Sequence, residues 1–135
     1  PTAYANNEWG KWRIAGISSS KTGVELVVDG DETTKMAVSS KSGAYFIIAF
    51  PTQLLIAPEV LQIKYTAGTI TSIQGKNEDG VWEQIKYTIV DSTDSKNTIL
   101  ALPKYFTAIQ VNLSDTSNAA LYEFLIMQGH YKFKS

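Results

Sequence analysis

Short apolar runs separated by polar, glycine- and proline-marked turns fill the chain, and no segment keeps helical spacing beyond a turn or two. Residues 11–17 are rich in β-formers and end at Ser18-Ser19-Ser20-Lys21-Thr22-Gly23, a loop. Residues 44–50 are apolar on both faces and stop at Pro51, the pattern of a central buried strand. Residues 60–65 alternate, with Leu61, Ile63 and Tyr65 inward and Gln62 and Lys64 outward. Residues 69–76 and 81–89 flank Asp79-Gly80, the strongest short hairpin signal in the chain. Strands are also predicted over 98–102, 105–113 and 121–127, with compact polar loops at 18–24, 38–43, 66–68, 91–97 and 114–119. This is the profile of an all-β sandwich or jelly roll.

Composition narrows the picture. A chain of 135 residues reads as one domain, 1–135, and is large enough to hold a core without metal or disulfide staples. Hydrophobic residues make up 44%, which argues against disorder. The net charge of -1 draws the chain toward neither nucleic acid nor anionic membrane. Arg13 is the sole arginine, a poor provision for bidentate phosphate contacts. The absence of cysteine removes disulfides, thiolate zinc and cysteine nucleophiles. No apolar run reaches membrane-spanning length, and the Pro-Thr-Ala-Tyr-Ala-Asn-Asn start has no signal-peptide pattern in this form. Pro1 is compatible with a removed initiator methionine, so either an entire small product or an excised module is expected.

Three segments stand out in order: Asp29-Gly30-Asp31-Glu32-Thr33-Thr34, Asn77-Glu78-Asp79-Gly80-Val81-Trp82 and Leu121-Tyr122-Glu123-Phe124-Leu125-Ile126. Between them lie the apolar strand Tyr45-Phe46-Ile47-Ile48-Ala49-Phe50, Val60-Leu61-Gln62-Ile63-Lys64-Tyr65 and Phe106-Thr107-Ala108-Ile109-Gln110-Val111-Asn112-Leu113. In this order they resemble the discoidin, or coagulation factor type C, domain of the galactose-binding-like superfamily, and are similar to family 32 carbohydrate-binding modules. The resemblance covers about residues 13–129; Met36 stands where the family often has Trp after its Asp-Gly-Asp turn. It implies a discoidin-like jelly-roll β-sandwich of eight strands in two antiparallel sheets, with the chain ends close together and the ligand loops at the opposite end. Trp82 then reads as a core anchor of the hairpin.

The resemblance also implies a structural calcium ion. Its ligands would be Asp29, the carbonyl of Asp31, Thr34 and Glu123, with the carbonyls of Leu26 and Tyr122 completing a shell of hard oxygens. The residues equally allow a metal-free reading, in which Asp-Gly-Asp caps its own turn and Glu123 meets Lys35 or a backbone amide.

The loops lack the aromatic, His and Arg set of galactose-binding relatives and the exposed Trp or Leu of membrane-binding ones, so membrane insertion is not expected. Lys21, Lys41, Asp91, Asp94 and Asn97 remain as candidate ligand-binding residues, against a reading of plain solvated loops. Trp9, Trp12, Tyr4 and Tyr131 gather near the chain ends, where they either pack the terminal strands or dock the domain on a neighbour or second copy. His130 is the sole histidine, and no catalytic constellation or phosphate loop is present. The expected function is therefore a non-catalytic module binding cell-surface or polymeric carbohydrate, outside the cell or at a cell surface. The alternative is a structural protein-interaction module, such as a virion decoration or fibre component at a virion surface.

Overall fold

The computed structural model describes residues 16–20, 23–28, 31, 33–37, 44–65, 70–91, 96–101, 104–113 and 120–134. Among them run β1 (Gly16–Ser19), a 3₁₀ turn (Val24–Val27), β2 (Met36–Ala37), β3 (Ala44–Ala49), β4 (Leu54–Tyr65) and β5 (Ile70–Lys76). β6 (Trp82–Gln84), β7 (Tyr87–Asp91), β8 (Lys96–Ala101), β9 (Ala108–Leu113) and β10 (Ala120–Phe133) follow. Two five-stranded sheets result, in the orders β1-β3-β9-β5-β6 and β2-β10-β4-β8-β7. The described pairs are all antiparallel. This is the expected all-β jelly-roll sandwich. The expected count of eight strands rises because the predicted strand 81–89 divides at Ile85-Lys86, sending β6 to one sheet and β7 to the other, and because the short β2 joins β10.

The sequence pattern explains the core. β3 alternates buried and half-buried positions, so Phe46 and Ile48 point between the sheets. Ile109, Val111 and Ile73 join them from the same sheet; Leu61, Ile63, Phe124 and Ile126 come from the other. The Phe46 and Phe124 rings meet edge to face across the layers, with centroids 5.6 Å apart and planes at 78°.

Connections define two ends. Gly16 pairs with Ala49, Ala49 with Ala108, Ala108 with Lys76, and Lys76 with Trp82. Pro51 to Gln53 carry the chain from β3 into β4, where Leu54 pairs with Phe133 near the C-terminus. These residues form the terminal end. Here the sheets are stitched together, as Ile56 and Phe106 exchange backbone bonds of 3.0 and 2.9 Å; within the first sheet the Thr107 N–H donates to Lys76 O at 2.7 Å. The opposite, or loop, end holds Tyr65, Ile70, Leu113 and Ala120, the strand termini joined by residues 66–69 and 114–119.

Several expectations shift. β4 begins at Leu54 rather than residue 60, and Pro58 is accommodated opposite Gly129, beside a register shift between Gln128 and Gly129. β10 runs to Phe133, so His130 and Tyr131 lie within the last strand. Ser18 and Ser19 belong to β1 instead of a loop. Trp82 is corrected most: it is 36% exposed and pairs with Lys76 on an edge strand, not a core anchor.

The β5–β6 turn has its own polar brace. Asn77 Oδ1 accepts from the N–H groups of Asp79 and Val81 at 2.9 and 3.0 Å, and Gly80 takes φ 82°, where a side chain would be strained. Lys104 Nζ donates to Glu83 Oε1 at 2.7 Å and Asn77 Nδ2 to Oε2 at 3.0 Å. These bonds, Lys104 first, hold the Glu83 carboxyl below its ordinary value of 4.5. The folded state thus favours the ionised form. Its contribution is complete above 4.5 and is lost as pH falls through the lower folded value. Thermal unfolding between about pH 5 and 3 should show a shallower decline for Glu83→Gln than for the wild type. Parallel profiles would contradict this.

Candidate functional site

The loop end gathers the strand termini that bear the candidate ligand residues. β1 ends and β3 begins there, tied by Ser20 N–H to Tyr45 O at 3.1 Å and by Ser19 Oγ to the same carbonyl at 2.6 Å. These termini lead to Lys21 and Lys41, which lie outside the described residues, as does Asp94. Asp91 closes β7 and Asn97 sits in β8 opposite Ile63, so both occupy strand ends where a loop over 91–97 is expected; the connection narrows to 92–95. The topology thus brings the elements carrying this set to one end, in two groups, one on each sheet.

One corner of that end assembles the described part of the expected calcium set; Asp29 lies outside the described residues. The 3₁₀ turn carrying the half-buried Leu26 packs against β2 and β10. On β2, Met36 pairs with Leu121 and Ala37 with Ala120, so the segment entering β2 from Thr34 runs beside the start of β10. Thr34 Oγ1 lies 3.0 Å from the Asp31 carbonyl, to which it donates. The Asp31 carboxylate is turned to local work: Oδ1 accepts from Thr33 Oγ1 at 2.6 Å and from Thr33 N–H at 2.9 Å. These bonds, the side-chain one first, pull its pKa below the ordinary 3.8.

Glu123 is only 2% exposed. A register shift between Leu121 and Glu123 lets Leu121 and Phe124 both enter the core while Glu123 sits across from Lys64. Directly opposed residues share a face, so Lys64 is its cross-strand neighbour on β4. Carboxylate, hydroxyl and carbonyl oxygens at a turn beside a strand end are the hard donors calcium takes, so the chemistry of the donor set fits. Among the described residues no three His, Cys, Asp or Glu side chains cluster as a metal site.

The terminal end is more apolar. Tyr131 is 47% and Phe133 70% exposed, their rings edge to face at 6.2 Å, and Val81 is 56% exposed. Lys132 Nζ lies 4.5 Å above the Tyr105 ring, and His130 Nε2 lies 2.5 Å from Glu59 Oε1. Two clefts open here. One of about 360 Å³ is lined by Phe50, Pro51, Lys76, Asn77 and Lys134 among others; one of about 200 Å³ is lined by Gln84, Ile85, Lys86, Lys104 and Phe106. Tyr131 thus presents an exposed ring at this end; Trp9, Trp12 and Tyr4 lie outside the described residues.

A third feature escaped the sequence reading. On the outer face of the first sheet, Gln110 Nε2 donates to Asn112 Oδ1 at 2.8 Å. Asn112 Nδ2 donates onward to Ser72 Oγ at 2.9 Å and Gln74 Oε1 at 3.1 Å. Register aligns Ile47, Gln110, Gln74 and Gln84 in one row and Tyr45, Asn112 and Ser72 in the next. The signal was present as polar residues alternating along 105–113 and 69–76, but it gains meaning only once β5 and β9 are placed side by side.

No family model matches the chain, and no curated protein does. Solved structures do. The chain is similar to the second chitosan-binding module of a chitosanase/glucanase from Paenibacillus sp. IK-5, in complex with chitotriose. Identity is 16%, 84% of this chain and 95% of that one are covered, and the TM-score is 0.62. It is similar to the module CpGH89CBM32-5 from Clostridium perfringens, in complex with GalNAc-β-1,3-galactose, at 12% identity over 84% and 94% of the two chains, TM-score 0.65. The C-terminal domain of a chitobiase from Bacteroides fragilis aligns over 100% of both chains at 11% identity and TM-score 0.63. The fold is therefore the discoidin-like β-sandwich expected above, shared with these solved domains. No helix among the described residues is long and apolar enough to cross a membrane.

Proposed function

We propose that the chain is a non-catalytic binding module for cell-surface or polymeric carbohydrate, acting outside the cell or at its surface. The observation that supports this is the fold, shared over nearly their whole length with modules seen in complex with chitotriose and with GalNAc-β-1,3-galactose. Fold alone does not assign a ligand. The candidate groups in this reading are Asp91 and Asn97, at the loop-end parts of β7 and β8, with Lys21, Lys41 and Asp94 from the neighbouring sequence. A glycan array probed with and without calcium tests the reading: selective binding to one class of glycan is expected, and silence at high protein concentration would sink it.

A calcium ion braces the loop end in this proposal. Glu123, Asp29, Thr34 and the carbonyls of Leu26, Asp31 and Tyr122 would hold it, and its charge would balance a carboxylate that is 2% exposed. Calcium at about 100 times its Kd would then stabilise the fold by about 2.7 kcal/mol, and Glu123→Gln would abolish the gain. Calorimetric titration with equal heats for both proteins, or none for either, would remove the site and leave the Lys64 pairing.

A second reading is favoured by one observation, the exposed Tyr131–Phe133 pair at the terminal end. It is a protein-docking module, as in a virion decoration or fibre component, or a homo-oligomer through that face. Sedimentation supports it if a stable oligomer is lost in Phe133→Ser; a monomer with a clean glycan signal would dismiss it.

A further inference from the structure

We infer that the outer face of the first sheet is a second carbohydrate-contact surface, separate from the loop end, that takes a stretch of neutral polysaccharide on its amide row and Trp82. The inference rests on the module reading above and adds to it a place and a ligand chemistry.

The argument begins with what Asn112 does. Its carbonyl accepts from Gln110, and its amide nitrogen donates to both Ser72 and Gln74. That use fixes the two glutamines. It orients the Gln74 oxygen and the Gln110 nitrogen inward to the hub, and turns the Gln74 NH₂ and the Gln110 carbonyl away from it. These two residues are directly opposed in the β5–β9 ladder. The sheet therefore presents a donor and an acceptor side by side, held by a network in place of free rotors. A hydroxyl is both donor and acceptor, so two neighbouring sugar hydroxyls match that pair. Gln84, paired with Gln74 on β6, extends the row to two strand spacings, about 10 Å.

Trp82 stands two residues from Gln84 on the same strand, so both side chains share the outer face, about 6.7 Å apart along it. The indole is 36% exposed at the sheet edge, an unusual place for Trp unless its apolar ring has a partner. An exposed aromatic face for sugar C–H groups beside planar amides for the hydroxyls is the pairing that glycan recognition needs.

Charge decides among occupants. In the Tyr45 and Ile47 rows and the adjoining Lys76–Trp82 pair, Lys76 is the sole charged residue. One cation cannot hold a nucleic acid or an anionic polymer. A protein partner would require an apolar centre, and here the centre is Gln74 and Gln110. A neutral polyhydroxyl chain suits the surface.

Native gels containing hydroxyethyl cellulose, galactan or glycol chitin provide the test. The wild type should be retarded by at least one. Trp82→Ala should weaken binding about tenfold, and Gln74→Leu with Gln110→Leu about threefold to tenfold. Gln62→Leu, the same exchange on the outer face of the other sheet, should bind as wild type. Thermal unfolding of each variant checks its fold. Amide spectra of the wild type give a measurement free of that concern: the Trp82 indole N–H and the Gln74, Gln84 and Gln110 NH₂ signals should shift with the retarding polysaccharide. Shifts confined to the loop end, or full binding by the face variants, would overturn this inference while leaving the module reading intact. A wild type retarded by none of the three polymers overturns it as well, and the glycan array then judges the module reading separately.

Discussion

Gly75→Ala is expected to destabilise the protein by about 3 kcal/mol, at the upper end of the usual overpacking range. The glycine is needed for space. A Cβ there would stand 2.4 Å from Cδ1, 2.5 Å from Cε1 and 2.6 Å from Cγ of Phe106. It would strike the body of the ring, not the tip of a flexible chain. The ring cannot move aside easily, because Phe106 is 2% exposed and its backbone is bound on both sides to Ile56. The affected contact is also the stitch between the two sheets at the terminal end. A drop in Tm of roughly 10 °C should accompany the loss. Gly75→Ala combined with Phe106→Leu should recover part of it, because the smaller side chain vacates the clash. Stability within about 0.5 kcal/mol of the wild type in urea would show that Phe106 repacks freely.

Phe124→Ala should cost about 3–5 kcal/mol, the usual range for emptying a fully buried phenylalanine site. Phe124 has no exposed surface and meets Phe46 edge to face across the layers. A double-mutant cycle with Phe124→Leu and Phe46→Leu should give a coupling of about 0.5–1.5 kcal/mol. Phe133→Ala provides the contrast. That ring is 70% exposed, and its removal should stay within about 0.5 kcal/mol of wild type. Equal losses at positions 124 and 133 would mean that the terminal aromatics carry structural weight.

The inward and outward positions of β4 were legible from Leu61 and Ile63 against Gln62 and Lys64, and β3 was legible as a buried strand from its apolar run before Pro51. What escaped was set by register. Asp79-Gly80 read as the centre of a turn would place Trp82 across from Asn77, on the side of the core. The observed turn pairs Lys76 with Trp82, one residue away, and a one-residue slip moves every side chain to the other face. Leu54 to Ala57 escaped because all four are buried, leaving no alternation to read, and Pro58 follows them. Glu123 is legible in the sequence as a carboxylate on an apolar strand, but its neighbour Lys64 is 59 positions away in sequence and is supplied only by the β4–β10 ladder. The same holds for the amide network, whose members come from two strands, β5 and β9, brought together by pairing.

The described chain enters β1 at Gly16 and leaves β10 at Phe133 on the same side of the sandwich, with the loop end facing away. This bears on how the protein should be mounted for any surface-based assay. A tag after the C-terminus would anchor every molecule in one orientation, loops toward solution and the outer sheet face standing upright and open to flowing ligand. Amine coupling would instead engage lysines on several sides, Lys76 beside the amide row among them, and would scatter orientations across the chip. A weak glycan signal from a randomly coupled sample and a clear one from a tail-anchored sample would then report geometry, with no difference in affinity.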